Sequence, residues 1–233
     1  MTHIFILTGA GISAESGVAT FRDNDGLWEN HRVEDVATPE AFARNPELVQ
    51  RFYNARRAAL RTVEPNAAHI ALARLQDGLE ARGDRLTLVT QNVDDLHERG
   101  GARGVIHMHG ELARALCAAC GFRWDAEGDL STDGACPACR TVGTPRPDIV
   151  WFGEMPYHMD RIEAALSDAT LFVSIGTSGA VYPAAGFVGM AGALGIPSLE
   201  INLEPSLGSD LFGEARHGPA GTLVPEWVDE LLR

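Results

Sequence analysis

His3-Ile4-Phe5-Ile6-Leu7 runs straight into Thr8-Gly9-Ala10-Gly11-Ile12-Ser13-Ala14-Glu15-Ser16-Gly17, and the reading of this junction decides the fold. A short apolar strand that breaks into closely spaced glycines and then starts a helix is the pattern of a phosphate cradle. Gly9 and Gly11 omit side chains so that backbone N–H groups can approach an anion, and the positive end of the following helix faces the same oxygens. As G-x-G-x-x-A, with Ala14 in the third glycine's place, the match is fair, and a plain strand–helix turn explains it about as well. A dehydrogenase would continue through a helix into a second strand ending in an acidic residue about 20 positions on. Here the chain instead passes through Val18-Ala19-Thr20-Phe21-Arg22-Asp23-Asn24-Asp25-Gly26-Leu27-Trp28, which is polar, glycine-punctuated and without strand periodicity. A nucleotide loop followed by such a stretch predicts a lid over the ligand.

With 233 residues and 45% hydrophobic content, the chain is long enough to bury a full core as one domain or as one domain with a lobe. Its apolar runs are strand-length, too short to span a bilayer. The N-terminus lacks a basic region followed by a signal-length apolar stretch. A cytoplasmic protein is therefore expected. A net charge of −13 argues against nonspecific nucleic-acid binding, which depends on cations neutralising phosphates. It suits basic partners such as lysine-rich protein surfaces.

All four cysteines fall in one stretch, Cys117-Ala-Ala-Cys120 and Cys136-Pro-Ala-Cys139. The spacing C-x2-C-x15-C-x2-C is that of a four-thiolate zinc site, with Gly121 and Pro137 suited to the tight turns beside each pair. Two disulfides are disfavoured in a cytoplasmic chain, and two evenly matched pairs disfavour a redox dithiol. Four thiolates leave no open position for water or substrate, so the zinc is structural and the chemistry lies elsewhere. The loop at 122–135 is short and acidic, with Asp125, Glu127, Asp129 and Asp133.

The remainder alternates strand and helix. Asn66 reads as the N-cap of a helix with Ala67, Ile70, Ala71 and Leu75 inward. Leu86-Thr-Leu-Val-Thr90, Arg103-Gly-Val-Ile-His107, Leu171-Phe-Val-Ser-Ile175 and Pro197-Ser-Leu-Glu-Ile201 read as strands, and 161–168 and 184–194 as helices. This predicts an α/β fold, a Rossmann-like parallel sheet with helices on both faces, plus a small lobe holding the zinc ribbon. Ligands of such sheets lie beyond the carboxyl ends of the strands. Polar or glycine clusters sit at those ends: Gly9-Ala10-Gly11, Gln91-Asn92-Val93-Asp94, His107-Met108-His109-Gly110, Gly176-Thr177-Ser178 and Asn202-Leu203-Glu204.

These clusters, with Thr20-Phe-Arg22, Phe152-Gly-Glu154 and the cysteine quartet, resemble in order and in kind the motifs of the sirtuin family of NAD-dependent protein lysine deacylases. The resemblance covers essentially the whole chain, which looks like a bare catalytic core without a regulatory extension. It implies one catalytic domain: a Rossmann-like lobe of about 1–30, 66–111 and 148–233, and a small lobe that is helical over about 31–65 and a zinc ribbon over about 112–147. It further implies that NAD is consumed, with nicotinamide leaving as the acyl oxygen attacks the ribose, to give free lysine, nicotinamide and O-acyl-ADP-ribose.

Such chemistry needs a base of near-neutral pKa, and the resemblance assigns it to His109. His107, two residues earlier, is expected on the opposite face if the strand continues that far. By the same resemblance Asp94 bonds the nicotinamide carboxamide, although it would also serve as an N-cap before Leu96 and His97. Asn92 lines the pocket of the departing ring, Phe21 shields the reactive ribose, and Arg22 anchors the cofactor loop. Gly9, Ala10, Gly11, Ile12, Glu15, Thr20, Trp28, Gln91, Val93, Gly176, Thr177, Ser178, Asn202, Leu203, Glu204 and Ala220 complete the expected NAD contacts. Phe152, Gly153 and Glu154 are expected to pair with the backbone of an acyl-lysine substrate.

Tyr53 and Arg56, three apart in a helical stretch, share one face. Such a pair is ordinarily a half-buried ring beside a solvated charge. In the bacterial desuccinylase and demalonylase branch, which the chain resembles most, a Tyr-x-x-Arg pair reaches the end of the acyl pocket. This implies removal of succinyl or malonyl as well as acetyl groups. An NAD-dependent protein ADP-ribosyltransferase would use the same cofactor site, and a nonenzymatic NAD-sensing module would not need His109.

Overall fold

A computed structural model describes residues 1–18 and 31–233 and the backbone of Leu27 and Trp28. Thr20, Phe21 and Arg22, and the side chain of Trp28, lie outside the described residues. The strands, in chain order, are β1 (His3–Thr8), β2 (Leu27–Trp28), β3 (His31–Arg32), β4 (Arg85–Thr90), β5 (Ile106–His107), β6 (Gly110–Cys117), β7 (Arg123–Asp125), β8 (Pro145–Ile149), β9 (Leu171–Ile175), β10 (Ser198–Asn202) and β11 (Glu214–His217). The helices are α1 (Val33–Val36), α2 (Pro39–Arg44), α3 (Pro46–Leu60), α4 (Ala67–Ala81), α5 (Leu96–Arg99), α6 (Met159–Ser167), α7 (Phe187–Ala193) and α8 (Ala220–Leu232), with 3-10 turns at Ala10–Ser16, Ala184–Gly186 and Ser209–Leu211.

Six strands form a parallel sheet in the order β11-β10-β9-β1-β4-β5. β1 is buried at every position, so its run of apolar residues serves both faces. Ile4 and Ile6 face a core shared with α4 and α8, while Phe5 and Leu7 face another shared with α6 and α7. The chain leaves β1 for β4 and β5 on one side of it and later crosses back to β9, β10 and β11 on the other, and this reversal of direction opens a crevice at the carboxyl ends of the strands.

β6, β7 and β8 form a separate antiparallel sheet. A third, smaller core joins it to the helices before α4: Val49, Phe52 and Tyr53 of α3 pack with Leu112, Ile149 and Trp151. Thr38 caps α2 by accepting from Ala41 N–H at 3.0 Å, and Asn45 caps α3 through Leu48 N–H at 3.1 Å, each cap followed by a proline at the first helical position. Among the described residues no helix is long and apolar enough to cross a membrane.

Two local expectations are corrected. The strand expected over 103–107 shrinks to Ile106–His107, because Arg103 N–H is drawn to the Gln76 side chain and Gly104 adopts φ +64°. Ala67 and Ile70 lie outward, Ile70 at 55% exposure, since the inner face of α4 is made by Ala68, Ala71, Leu72, Leu75 and Leu79. The Asn66 cap is present, with Asn66 Oδ1 accepting from Ala68 N–H.

Candidate active site

The loops after β1 and β9 meet at the crevice, and their glycines explain how closely. A Cβ on Gly9 would lie 2.8 Å from Gly176 O, one on Gly11 would lie 2.7 Å from Gly176 Cα, and one on Gly176 would lie 2.4 Å from Ile12 N. Gly176 also adopts φ +64°. The N–H groups of Gly9 and Gly11 donate to Ile175 O and Gly176 O at 3.0 and 2.8 Å. Those two donors stitch the loops together, and the absence of a Cβ at each glycine is what lets the loops approach so closely. Ile12 is fully buried, while Ala10 and Gly11 before it are partly exposed.

Below the crevice runs a buried polar chain. Asn92 Nδ2 donates to Ser13 Oγ at 3.0 Å, and Ser13 Oγ donates to Asp94 Oδ2 at 3.1 Å. Asp94 Oδ1 accepts from Leu96 N–H, at the start of α5, at 3.2 Å, although the N-cap position itself is Asp95. Burial, only partly offset by these hydrogen bonds, pushes the Asp94 pKa up. Asn66 N–H donates to His69 Nδ1, which leaves the proton on Nε2 to meet Ser13 Oγ at 3.3 Å. Burial pushes the His69 pKa down to about 4. His97, fully buried and edge-on to His69, is likewise held neutral by burial; its Nε2 bonds Thr8 Oγ1, which in turn donates to Thr90.

The two histidines at and just beyond the end of β5 have pKa values shifted in opposite directions. His107 lies between Asn92 O at 3.3 Å and Glu98 Oε1 at 2.8 Å, two acceptors. Burial opposes its protonation, but the hydrogen bond and charge of Glu98 outweigh it and raise its pKa above 6.5. His109 is partly exposed, and its Nδ1 donates to Gln91 O at 3.0 Å. A carbonyl only accepts, so Nδ1 carries the proton and Nε2 keeps its lone pair. Burial lowers the His109 pKa from 6.5, against the pull of Gln91 O. A neutral imidazole with a fixed tautomer and a basic Nε2 is equipped to take a proton near pH 7. Both histidines bond backbone carbonyls of 91–92, and because β5 ends at His107 the strand alternation does not extend to His109.

Toward the other end of the crevice, Asn202 Nδ2 donates to Thr177 O at 2.7 Å, Thr177 Oγ1 pairs with Ser174 Oγ, and Ser178 Oγ accepts from Ala180 N–H. Leu203 is 66% exposed beside an exposed Glu204. Glu15 Oε2 accepts from Gly221 N–H at 2.6 Å, so its carboxylate caps the first turn of α8 next to Ala220. Val93 O accepts from Leu112 N–H and ties this edge to β6.

Tyr53 and Arg56 are both buried on α3, departing from the half-solvated pattern ordinary for such a pair. Tyr53 Oη accepts from Trp151 Nε1 at 3.0 Å, and the Arg56 guanidinium lies 5.7 Å from the centre of the Phe52 ring. In the turn after β8, Glu154 pairs with Arg146 at 2.7 and 2.8 Å and accepts from Trp151 N–H at 2.8 Å. The Glu154 side chain therefore braces its own turn. Phe152 N–H is committed to Ala37 O, while its ring is 46% exposed and Gly153 adopts φ +92°.

The ligand sulfurs of Cys117, Cys120, Cys136 and Cys139 all lie within 4.8 Å of one another. Sγ separations of 3.7 Å (Cys117–Cys139) and 3.8 Å (Cys120–Cys136) match the roughly 3.8 Å edge of a tetrahedron of about 2.3 Å zinc–sulfur bonds. The Thr144 and Thr141 hydroxyls lie 3.2 and 3.4 Å from the sulfurs of Cys117 and Cys139, and lower these thiols' pKa values. The donor set therefore fits zinc.

A glycine-lined crevice at the switch point of a parallel sheet, a histidine of fixed tautomer beside it and a four-cysteine ribbon together suit an enzyme site, and the comparisons with known proteins give its family. The Sir2 family model matches residues 9–183, and the chain belongs to that family. A protein of Caulobacter vibrioides named NAD-dependent protein deacylase is 60% identical over 98% of this chain and 96% of its own length. One of the same name from Escherichia coli K12 is 57% identical over 99% of this chain and 82% of its own length. Among solved structures, a Sir2 homologue in complex with NAD superposes with a TM-score of 0.88 at 38% identity, covering 99% of this chain and 91% of that one. A Sir2 bound to an acetylated peptide gives 0.81 at 28% identity, over 97% and 92%.

Proposed function

We propose that this protein is an NAD-dependent protein-lysine deacylase, removing acetyl and also succinyl or malonyl groups from lysines of proteins in the cytoplasm. The observation that carries the reading is His109, a partly exposed imidazole whose pKa is lowered by desolvation, with Nδ1 fixed on Gln91 O and the Nε2 lone pair left free of that bond. Bound NAD would supply the ribose carbon that accepts the acyl oxygen as nicotinamide departs. Within that reading His109 Nε2 takes the ribose hydroxyl proton. Asn92 and Asp94 form the nicotinamide pocket, with Ser13 holding both side chains in one orientation. Gly9, Ala10, Gly11, Gly176, Thr177 and Ser178 flank the phosphates, and Asn202, Leu203, Glu204, Glu15 and Ala220 the adenosine end. Thr20, Phe21, Arg22 and Trp28 belong to the covering loop. The substrate segment seats along 152–154, and Tyr53 with Arg56 receives the far end of the acyl chain. Two lobes, divided as the sequence suggests, then meet at the crevice.

Mass spectrometry of acetyl-, malonyl- and succinyl-lysine peptides incubated with NAD tests this. Free lysine, nicotinamide and O-acyl-ADP-ribose are the expected products. ADP-ribosylated peptide with the acyl group retained would instead identify a transferase.

A further inference from the structure

Trp151 stands between two parts of the proposed substrate site. It precedes the turn at 152–154, and its indole is the donor to the Tyr53 phenol, 98 positions away in sequence, at 3.0 Å. The indole is 98% buried and tightly braced. The Arg146 guanidinium stacks 3.5 Å from the ring centre, a cation–π contact in a desolvated place. Arg146 is in turn fixed by both oxygens of Glu154 and by Ile149 O at 2.7 Å. Glu154 closes the circuit by accepting from Trp151 N–H. Phe42 and Tyr53 flank the indole with ring centres at 5.4 and 6.3 Å. One hydrogen bond and one cation–π stack thus reach the indole itself, and the Arg146–Glu154 ion pair and the Trp151 backbone N–H bond to Glu154 hold the groups behind them.

Indole Nε1–H donates only, so the bond to Tyr53 has one polarity: the phenol oxygen is the acceptor. A phenol proton prefers the plane of its ring and has two orientations there. A donor approaching on one side disfavours the orientation that would point hydrogen at hydrogen, so the Tyr53 proton is turned away from Trp151. Tyr53 is fully buried, which pushes its pKa up and keeps that proton on the oxygen. Arg56 shares the same face of α3 one turn on.

We propose that Trp151 is a positioning residue for acyl selectivity, its indole N–H aiming the Tyr53 hydroxyl at the distal carboxylate of an acidic acyl chain while the Arg146–Glu154 pair holds the indole. This rests on the reading of Tyr53 and Arg56 as the acyl-end pair. It adds that selectivity is coupled to the turn carrying Phe152 and Gly153, because Trp151 and Glu154 bracket that turn. An acetyl group has no distal carboxylate for the hydroxyl to meet, so its removal is indifferent to where the proton points.

The full-length chain and its Trp151→Phe, Arg56→Met, Tyr53→Phe and Tyr53→Phe/Trp151→Phe variants would be assayed on matched succinyl-lysine and acetyl-lysine peptides at saturating NAD. Trp151→Phe keeps the ring and its stacking but removes the donor. It should raise KM for the succinyl peptide by about two- to tenfold, the worth of one hydrogen bond, with kcat little changed and deacetylation within about twofold. In the Tyr53→Phe background the same change should leave the succinyl-to-acetyl ratio where Tyr53→Phe alone sets it. A purely structural tryptophan would lower both activities together and add its effect to that of Tyr53→Phe, which would overturn the proposal. If Arg56→Met is selective and Trp151→Phe is not, the proposal alone falls. If Arg56→Met leaves the ratio unchanged, the acyl-pair reading falls first. Should Trp151→Phe not fold, Glu154→Gln, which loosens the brace, must shift the ratio in the same direction, and an unchanged ratio overturns the proposal.

Discussion

β1, β4, β9 and β10 are covered on both faces, by α4 and α8 on one side and α6 and α7 on the other, each face closed by an apolar cluster, with polar side chains buried mainly toward the strand ends. The ribbon beyond β6 is the opposite case: Gly121, Phe122, Arg123 and most residues from 127 to 144 are exposed, and the chain is gathered around four sulfurs. One region is ordered by removing roughly planar apolar surface from water, the other by a point cross-link that needs almost no core. The difference teaches where each kind of chemistry sits. His109 and the Ser13–Asn92–Asp94 chain hang from the ends of the rigid parallel strands. The proposed acyl-end residues sit on α3 and after β8, in the small core that joins sheet and ribbon.

The largest effect expected from this contrast is loss of the metal. Cys136→Ala should take bound zinc from one per chain to none and unfold at least the ribbon, since structural zinc contributes about 10 kcal/mol or more of apparent binding energy. Metal analysis with circular dichroism checks it. A folded, metal-free and fully active variant would erase the distinction between the two regions.

Next in size is the base on the sheet side. His109→Ala should still bind NAD but lose turnover by about 10²- to 10⁴-fold, the scale of a general base. Because the His109 pKa lies below 6.5, the acid limb of kcat/KM should also fall below that value. Near-normal turnover in the variant would remove His109 from the mechanism.

A smaller effect belongs to the seam beneath the crevice. Unfolded, His69 takes up a proton as pH drops below about 6.5, whereas folded it resists until about 4. The folded state is therefore favoured above that window and loses up to about 3 kcal/mol as pH falls through it, with His97 acting in the same direction. Urea midpoints measured from pH 7 to 4 should decline, and His69→Gln should flatten the decline. An identical slope in the variant would contradict the buried neutral histidine.

Features fixed by local spacing were legible in the sequence. The glycine loop after β1, the cysteine quartet and the Asn66 cap depend on residues near one another, and each stands where its spacing puts it. Ile70 was misplaced because α4 is rich in alanine, and small residues let several faces pass as the inner one. The role of Gly9 and Gly11 could not be read locally, since what they make room for is Gly176, on a distant strand. The same holds for the Ser13–His69 contact, 56 positions apart, and for Trp151 on Tyr53. A capping pattern of Asn followed three residues later by His was the one available hint that His69 is held in place.

The finest test of the contrast lies on α3, where a single charge should matter for one substrate and not another. Arg56 is buried, so its guanidinium has already given up most of its hydration. A succinyl or malonyl carboxylate entering the same desolvated place needs a cation there, and an acetyl methyl does not. A hydrogen bond to a charged group contributes about 1.5–3 kcal/mol, or roughly 10- to 150-fold in specificity. Arg56→Met, which keeps the length and apolar stem, should therefore cut kcat/KM on succinyl-lysine by at least about tenfold and leave acetyl-lysine nearly unchanged. Melting temperature and zinc content measured alongside separate this from damage to the small core. Equal losses on the two substrates would make Arg56 a packing residue of α3, and the specificity assigned to that region would go with it.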